Sequence, residues 1–300
     1  MLSRSGALRA TLGVAGAGAA GVGYALLEAR AFTLRHVSLP VLPAGARSLR
    51  VLHVSDLHLV PRQRRKAGWL RGLAALEPDL VVSTGDNLAA TDAVPAVLDA
   101  YGELLDRPGV FVLGSNDYWG PRPKNPARYF LPQGGRRRVI GIRLPTDELV
   151  SGFTAAGWLD LTNARGRLDV GDTTLDFVGV DDPHMRYDRY PEHVAAEPGT
   201  VLVGVTHAPY RRILDAMTAD GADVVLAGHT HGGQLCLPVA GALVTNCDLP
   251  RRQARGVSSW SAAGRTVPLH VSAGLGTNPY APVRFACRPE ATLLTLTPRP

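Results

Sequence analysis

The chain has 300 residues, 45% of them hydrophobic, which is enough to bury a full core in one large domain. Its formal net charge of +6 invites a nucleic-acid reading, but aromatic residues make up only 6%, too few for a base-stacking platform. The three cysteines, Cys236, Cys247 and Cys287, lack CxxC spacing and exclude a zinc knuckle or a full disulfide framework; a Cys236 to Cys247 pair and buried thiols both stay open.

The first predicted element is apolar. Arg4 and Arg9 precede an uncharged stretch, residues 10–27, closed by Glu28 and Arg30. Its length and flanks fit a signal or anchor segment over residues 1–31, either cleaved after Ala31 or kept as a single membrane anchor. Arginines ahead of the apolar run favour a cytoplasmic N-terminus and a domain outside the cytoplasm, the alternatives being secretion or the cytoplasmic face. Residues 32–48 are expected to form a linker or a first edge strand, and residues 49–300 the main domain.

From residue 49 onward, short β-branched runs alternate with helix-compatible segments, residues 66–76 and 93–105, which predicts an α/β domain. Several runs lead directly into polar islands. Residues 49–54 precede Ser55-Asp56-Leu57-His58, residues 80–82 precede Gly85-Asp86-Asn87, and residues 110–113 precede Gly114-Ser115-Asn116-Asp117. Further on, residues 175–180 precede Asp181-Asp182-Pro183-His184, residues 201–205 precede Thr206-His207-Ala208-Pro209, and residues 224–227 precede Gly228-His229-Thr230-His231-Gly232-Gly233-Gln234. Polar residues where buried strands end fit the rule that open α/β sheets bind ligands along one strand edge.

A lone Asp-x-His is usually an ordinary loop pair, but an ordered series of such islands is not. Their imidazoles and carboxylates favour Mn, Fe or Zn over Ca or Mg. In Asp56-Leu57-His58 and His229-Thr230-His231 the paired residues would leave an extended segment on the same side and grip one ion or two neighbours. Gly232 and Gly233 are expected to let the backbone approach that site or to form a tight turn. His53, facing opposite to Asp56 or packed beneath it, reads as a core histidine or as one that supports the ligands, and His270 as structural.

Residues 121–166, with Tyr129 and Phe130, form a possible substrate-shaping insertion. Basic clusters around Arg62 to Lys66 and Arg136 to Arg138 could border the site and attract phosphate-bearing substrates or anionic lipid headgroups.

Taken in order, the islands resemble the calcineurin-like metallophosphoesterase superfamily, whose blocks are Asp-x-His, Gly-Asp, Gly-Asn-His-Asp or Glu, a lone His, and Gly-His-x-His. The Gly228 to Gln234 string, with Gly274-Leu275-Gly276-Thr277, Pro282, Arg284 and Arg288-Pro289-Glu290, is most similar to its membrane-associated bacterial branch. The resemblance implies a sandwich of two mixed β-sheets flanked by helices, and a metal-dependent phosphoric ester hydrolase. It implies two divalent or mixed-valence metal ions, with Asp56, His58 and His231 on one, Asp86 as the bridge, and His207 and His229 on the other. A metal-bridging hydroxide would then serve as nucleophile, with no serine or cysteine required.

The expected substrate is a phosphorylated small molecule or lipid, a phosphodiester or lipid-linked phosphate being favoured. Alternatives are a nuclease, or a catalytically weakened scaffold on the same fold. One block departs from the family. Its Asn ligand aligns with Ser115 and its catalytic His with Asn116, so either Ser115 ligates or the loop shifts to bring the Asn116 amide oxygen to the metal. The shift is favoured, because an amide oxygen is the better neutral ligand. Asp117 is then expected to anchor the loop, and His184 is the candidate acid for the leaving group.

Overall fold

The computed structural model describes residues 16, 18–123, 141–195, 197 and 199–300. Residues 124–140 of the expected insertion, with Tyr129, Phe130 and Arg136 to Arg138, and residues 1–15 and 17 of the expected leader lie outside that set.

Two six-stranded sheets make up the domain. The first runs in the order β1 (Thr33–Leu42), β14 (Glu290–Pro298), β2 (Leu49–Val54), β3 (Leu80–Ser83), β4 (Gly109–Phe111) and β5 (Leu159–Asp160). The second runs β12 (Gly256–Ala262), β13 (Arg265–Val271), β9 (Val224–Ala227), β8 (Val201–Thr206), β7 (Thr173–Gly179) and β6 (Arg165–Val170). A short ribbon of β10 (Cys236–Leu237) and β11 (Gly241–Ala242) stands apart from both. Each large sheet is mixed: β14 is antiparallel to β2, and β6 and β12 are antiparallel to their neighbours, while the other ladders are parallel.

Alternation along the strands builds the layers. In β2, Leu49 and Val51 face the second sheet and pack with Val82, Val203, Val205 and Leu226, whereas Leu52 and Val54 face outward. That outer face is covered by α2 (Arg64–Gly72), α3 (Val94–Tyr101) and α5 (Thr146–Ala155), through Leu70, Val97, Tyr101 and Phe153. On the second sheet, α6 (Arg211–Ala219) lays Ile213, Leu214 and Met217 over Leu202, Val225 and Leu269. Each such large apolar side chain contributes about 1.5–3 kcal/mol on burial. The result is the helix-flanked pair of mixed sheets that the motif order implied.

Strands β2, β3 and β4 run parallel in one sheet, and β7, β8 and β9 in the other. Their carboxyl ends carry the polar islands, so the sandwich delivers residues from both sheets to one edge. His53 of β2 and His270 of β13 meet in the interior, with Nδ1 atoms 2.9 Å apart, and His53 Nε2 lies 2.9 Å from Thr84 Oγ1.

Among the described residues no helix is long and apolar enough to cross a membrane. The described part of the expected leader includes a helix, α1 (residues 18–28), that turns one side toward the domain. Ala25 and Glu28 are buried while Val22, Tyr24 and Leu27 are exposed. The three cysteines are free thiols, and Cys236 packs with Cys287 rather than Cys247.

Candidate metal centre

The ligand-bearing loops do not hold the extended backbone expected for Asp56-Leu57-His58 and His229-Thr230-His231. Asp56, His58, Asp86, His229 and His231 all have φ between 41° and 69°, the left-handed region. A residue with a Cβ held there costs about 1–3 kcal/mol, which the packed sandwich must offset. Left-handed turns swing the side chains out of the alternation of the preceding strand. His231 consequently joins Asp56 and His58, while His229 turns to His207. Such close loops need glycine at their contacts: a Cβ on Gly228 would sit 1.9 Å from Ser55 Oγ, and one on Gly114 would sit 2.4 Å from Asp86 Oδ1.

Asp86 is the centre of the arrangement. Its Oδ2 lies 3.3 Å from His58 Nε2 and 3.5 Å from His207 Nε2. Beyond His58, His231 Nε2 is 3.2 Å from His58 Nε2 and 3.5 Å from Asp56 Oδ1. Beyond His207, His229 Nδ1 is 3.2 Å from His207 Nε2. Two groups, Asp56 with His58 and His231, and Asp56 with Asp86 and His207, place their ligand atoms close enough to hold an ion.

Hydrogen bonds dictate which atoms face inward. His207 Nδ1 donates to the Thr84 carbonyl at 2.7 Å, His229 Nε2 to that of Asn246 at 3.3 Å, and His231 Nδ1 to that of Gly276 at 3.2 Å. Each carbonyl fixes a ring N–H; the opposite nitrogen of the neutral His229 and His231 then presents a lone pair, and that of His207 does so once its second proton has left. Asp56 Oδ2 accepts from Ser55 Oγ at 2.6 Å and from His229 N at 3.0 Å, whereas Asp56 Oδ1 is buried without a hydrogen-bond partner. The His231 lone pair turned toward the orphaned Asp56 oxygen repels it unless a cation lies between them. The donor set therefore fits a borderline divalent metal.

The rings differ in charge. Burial holds His58 down to about 4 and lowers His229 and His231 as well, so these rings are neutral. Burial works against a charge on His207 too, but Asp86, Asp56 and Asp182 outweigh it and raise this ring to about 9. Burial opposes the Asp86 carboxylate, yet His207, His58 and two hydrogen bonds from Asn116 keep it ionised.

The departing block sits against this bridge. Asn116 N and Nδ2 donate to Asp86 at 2.6 and 2.9 Å, whereas Ser115 Oγ accepts from Asn116 Nδ2 at 3.4 Å. The segment is a single helical turn, α4 (Ser115–Tyr118), from which Asn116 rather than Ser115 contacts Asp86. Facing the Asp86 carboxylate, the amide presents its NH2. Asp117 is buried and accepts backbone N–H bonds from Asp86, Asn87, Leu88 and Gly114, tying two ligand loops together. His184 also reaches the site: its ring centroid is 4.7 Å from that of His229, and its Nδ1 is 3.1 Å from Tyr210 Oη.

Several contributors escape sequence reasoning. Lys66, expected only as part of a bordering basic cluster, is buried with Nζ 2.7 Å from the Leu57 carbonyl and 3.2 Å from that of His58. Tyr210 and Thr84 act from positions whose partners are distant in sequence, as does Arg284, which the sequence marks only through its place in the tail motif. Gly232 and Gly233, at φ 61° and 89°, form the tight turn that was one of their two expected roles, and a Cβ on either would meet Cys287, Ala273 or Ala242.

Two mixed sheets sending aspartate, asparagine and histidine to one edge define a metallophosphoesterase. Residues 49–233 match the family model described as calcineurin-like phosphoesterase, and the chain belongs to that family. It is a hydrolase. Among its relatives, the Escherichia coli protein Phosphodiesterase YaeI is 26% identical over 99% of this chain and 100% of that one. The Bacillus subtilis protein YpbG, uncharacterised, is 26% identical over 84% and 82%. A solved structure, TT1561 of Thermus thermophilus, is 11% identical and aligns over 76% of this chain and 91% of that one with a TM-score of 0.42.

Proposed function

We propose that the chain hydrolyses a phosphodiester or a lipid-linked phosphate at a two-metal centre. The observation carrying this reading is the position of Asp86: one carboxylate flanked by His58 on one side and His207 on the other, each backed by further ligands. Asp56, His58 and His231 would hold one ion, His207, His229 and Asn116 the other, and Asp86 both. Divalent ions there supply Lewis acidity, lowering the pKa of water and neutralising phosphoryl charge.

The chain's own side chains do the rest. Asn116 directs a neutral amide at the shared carboxylate, and the buried walls around Asp56 and His207 keep bulk water from screening those charges. His184, oriented by Tyr210, is the residue assigned to protonate the departing ester oxygen, in place of the family histidine. The name of the Escherichia coli relative supports a diester. The apolar stretch behind Arg4 and Arg9, with Val22, Tyr24 and Leu27 exposed on α1, supports a membrane-held enzyme with its catalytic domain outside the cytoplasm.

The test is to quantify metal bound to purified full-length protein and to assay mono- and diesters with Mn²⁺. Two ions per chain and turnover of diesters are expected; metal-loaded protein inert on every ester class, lipids and nucleic acid included, would refute the reading. His184→Ala should slow alkyl esters by about 10²–10⁴-fold, the usual size of general acid catalysis, and activated aryl esters much less. Equal losses on both would remove His184 from that role.

A further inference from the structure

Helix α1 ends on the segment that holds the metal centre in place. Both carboxylate oxygens of Glu28, a residue only 5% exposed, accept backbone N–H bonds: Oε2 from Ala286 at 2.9 Å and Oε1 from Cys287 at 2.7 Å. One turn earlier, the Ala25 carbonyl accepts from Arg284 N at 3.0 Å, and the Tyr24 ring meets Phe285 edge-on at 5.3 Å. Four consecutive residues, 284 to 287, are thus pinned by the last turn of α1.

Arg284, in that segment, is wholly buried. Its Nη2 reaches the carbonyls of Ala273 at 2.7 Å, Gly276 at 2.7 Å and Gly274 at 3.0 Å, and its Nη1 reaches that of His231 at 3.2 Å. The Gly276 carbonyl is the one that fixes the ring of His231, and Gly276 N donates to the Asp56 carbonyl at 2.6 Å. One guanidinium therefore ties together the loops of His231 and Asp56. Cys287 adds a contact from Sγ to the His231 carbonyl at 3.3 Å.

We propose that Glu28 and Arg284 are positioning residues for the metal centre, and that the end of α1 is a strap belonging to the catalytic unit rather than a disposable leader. The proposal rests on the reading of Asp56, His58 and His231 as metal ligands. Release of the strap frees residues 284–287, lets Arg284 drift from the Gly276 carbonyl, and loosens the ring of His231.

The experiment uses full-length protein in detergent, with Mn²⁺ affinity measured by calorimetry and the coordination sphere read from the visible spectrum of bound Co²⁺. Replacing groups that orient a metal-binding histidine typically weakens binding about 10–100-fold, and Arg284→Met should fall in that range. Glu28→Ala should lose about tenfold, on the same precedent, and change the Co²⁺ spectrum, with Glu28→Gln in between because its one amide oxygen still accepts a bond. Because both act along one path, the double variant should be no weaker than Arg284→Met alone. If Arg284→Met does not fold, the two Glu28 variants decide. Wild-type affinity and an unchanged spectrum in folded Glu28→Ala would overturn the proposal. His231→Ala separates the two readings: if it loses an ion while Glu28→Ala keeps both, only the strap is wrong; if it loses nothing, the metal centre itself is wrong and the strap falls with it.

Discussion

At the scale of single residues, the centre is governed by which atom of each side chain is already engaged. Backbone carbonyls hold one nitrogen of His207, His229 and His231, and donors saturate one oxygen of Asp56. Asp117 does comparable work for the backbone. Asp117→Asn replaces acceptor oxygen by an NH2 that faces N–H donors, and should cost about 1.5–3 kcal/mol as a drop in the denaturation midpoint. The charge on His207 has a consequence for metal uptake. Its ring is protonated below about 9 in the metal-free protein, and that proton must leave before Nε2 can ligate. Metal affinity should therefore rise about tenfold per pH unit up to about pH 9 and then level off, since His58, at about 4, offers no competing proton above pH 5. Proton release, read from calorimetry in buffers of different ionisation heat, should approach one per chain at pH 7; no release would contradict this charge state.

At the scale of elements, each strand ends where its chemistry begins, and that much was legible in the chain. Runs such as Leu80 to Val82 are too short and too branched for helices, and the aspartates and histidines directly after them have no place in a core. Two features were not legible. Spacing of one residue suggests a shared side of an extended strand, but the left-handed φ of Asp56, His58, His229 and His231 arises from tight loops that only the opposing sheet can stabilise. Glu28 carries no local signal, and Arg284 only its place in the tail motif, because the contacts of both are to backbone atoms away from their own segment, which every residue possesses. Helices also act on the site. From α3, Tyr101 Oη reaches Ser83 Oγ at 3.0 Å and Asn87 Oδ1 at 3.1 Å, beside Asp86. Tyr101→Phe should cost about 1 kcal/mol in stability, the net worth of a buried hydrogen bond, and equilibrium unfolding in urea would measure it.

At the scale of the whole molecule, ligands drawn from two sheets make metal occupancy a property of the assembled sandwich. An ion held at a thousand times its dissociation constant adds about 4 kcal/mol to the folded state, and a domain of this size gains about 2–4 °C for each kcal/mol. Chelation should accordingly lower the melting temperature by about 10 °C, reversed by adding Mn²⁺; a midpoint indifferent to chelator would mean the loops bind no ion tightly. The first sheet carries a different kind of consequence. Strand β14 lies between β1 and β2, with Thr33 in register with Glu290 and Leu49 with Leu296, and among the described residues β1 has no other strand beside it. During synthesis β1 must wait for β14, about 10–50 s at ordinary elongation rates. Arg284 arrives almost as late. A growing polypeptide therefore keeps β1 unpaired and its site unbraced until residues 284–298 have been made, so that hydrolytic competence waits for that segment.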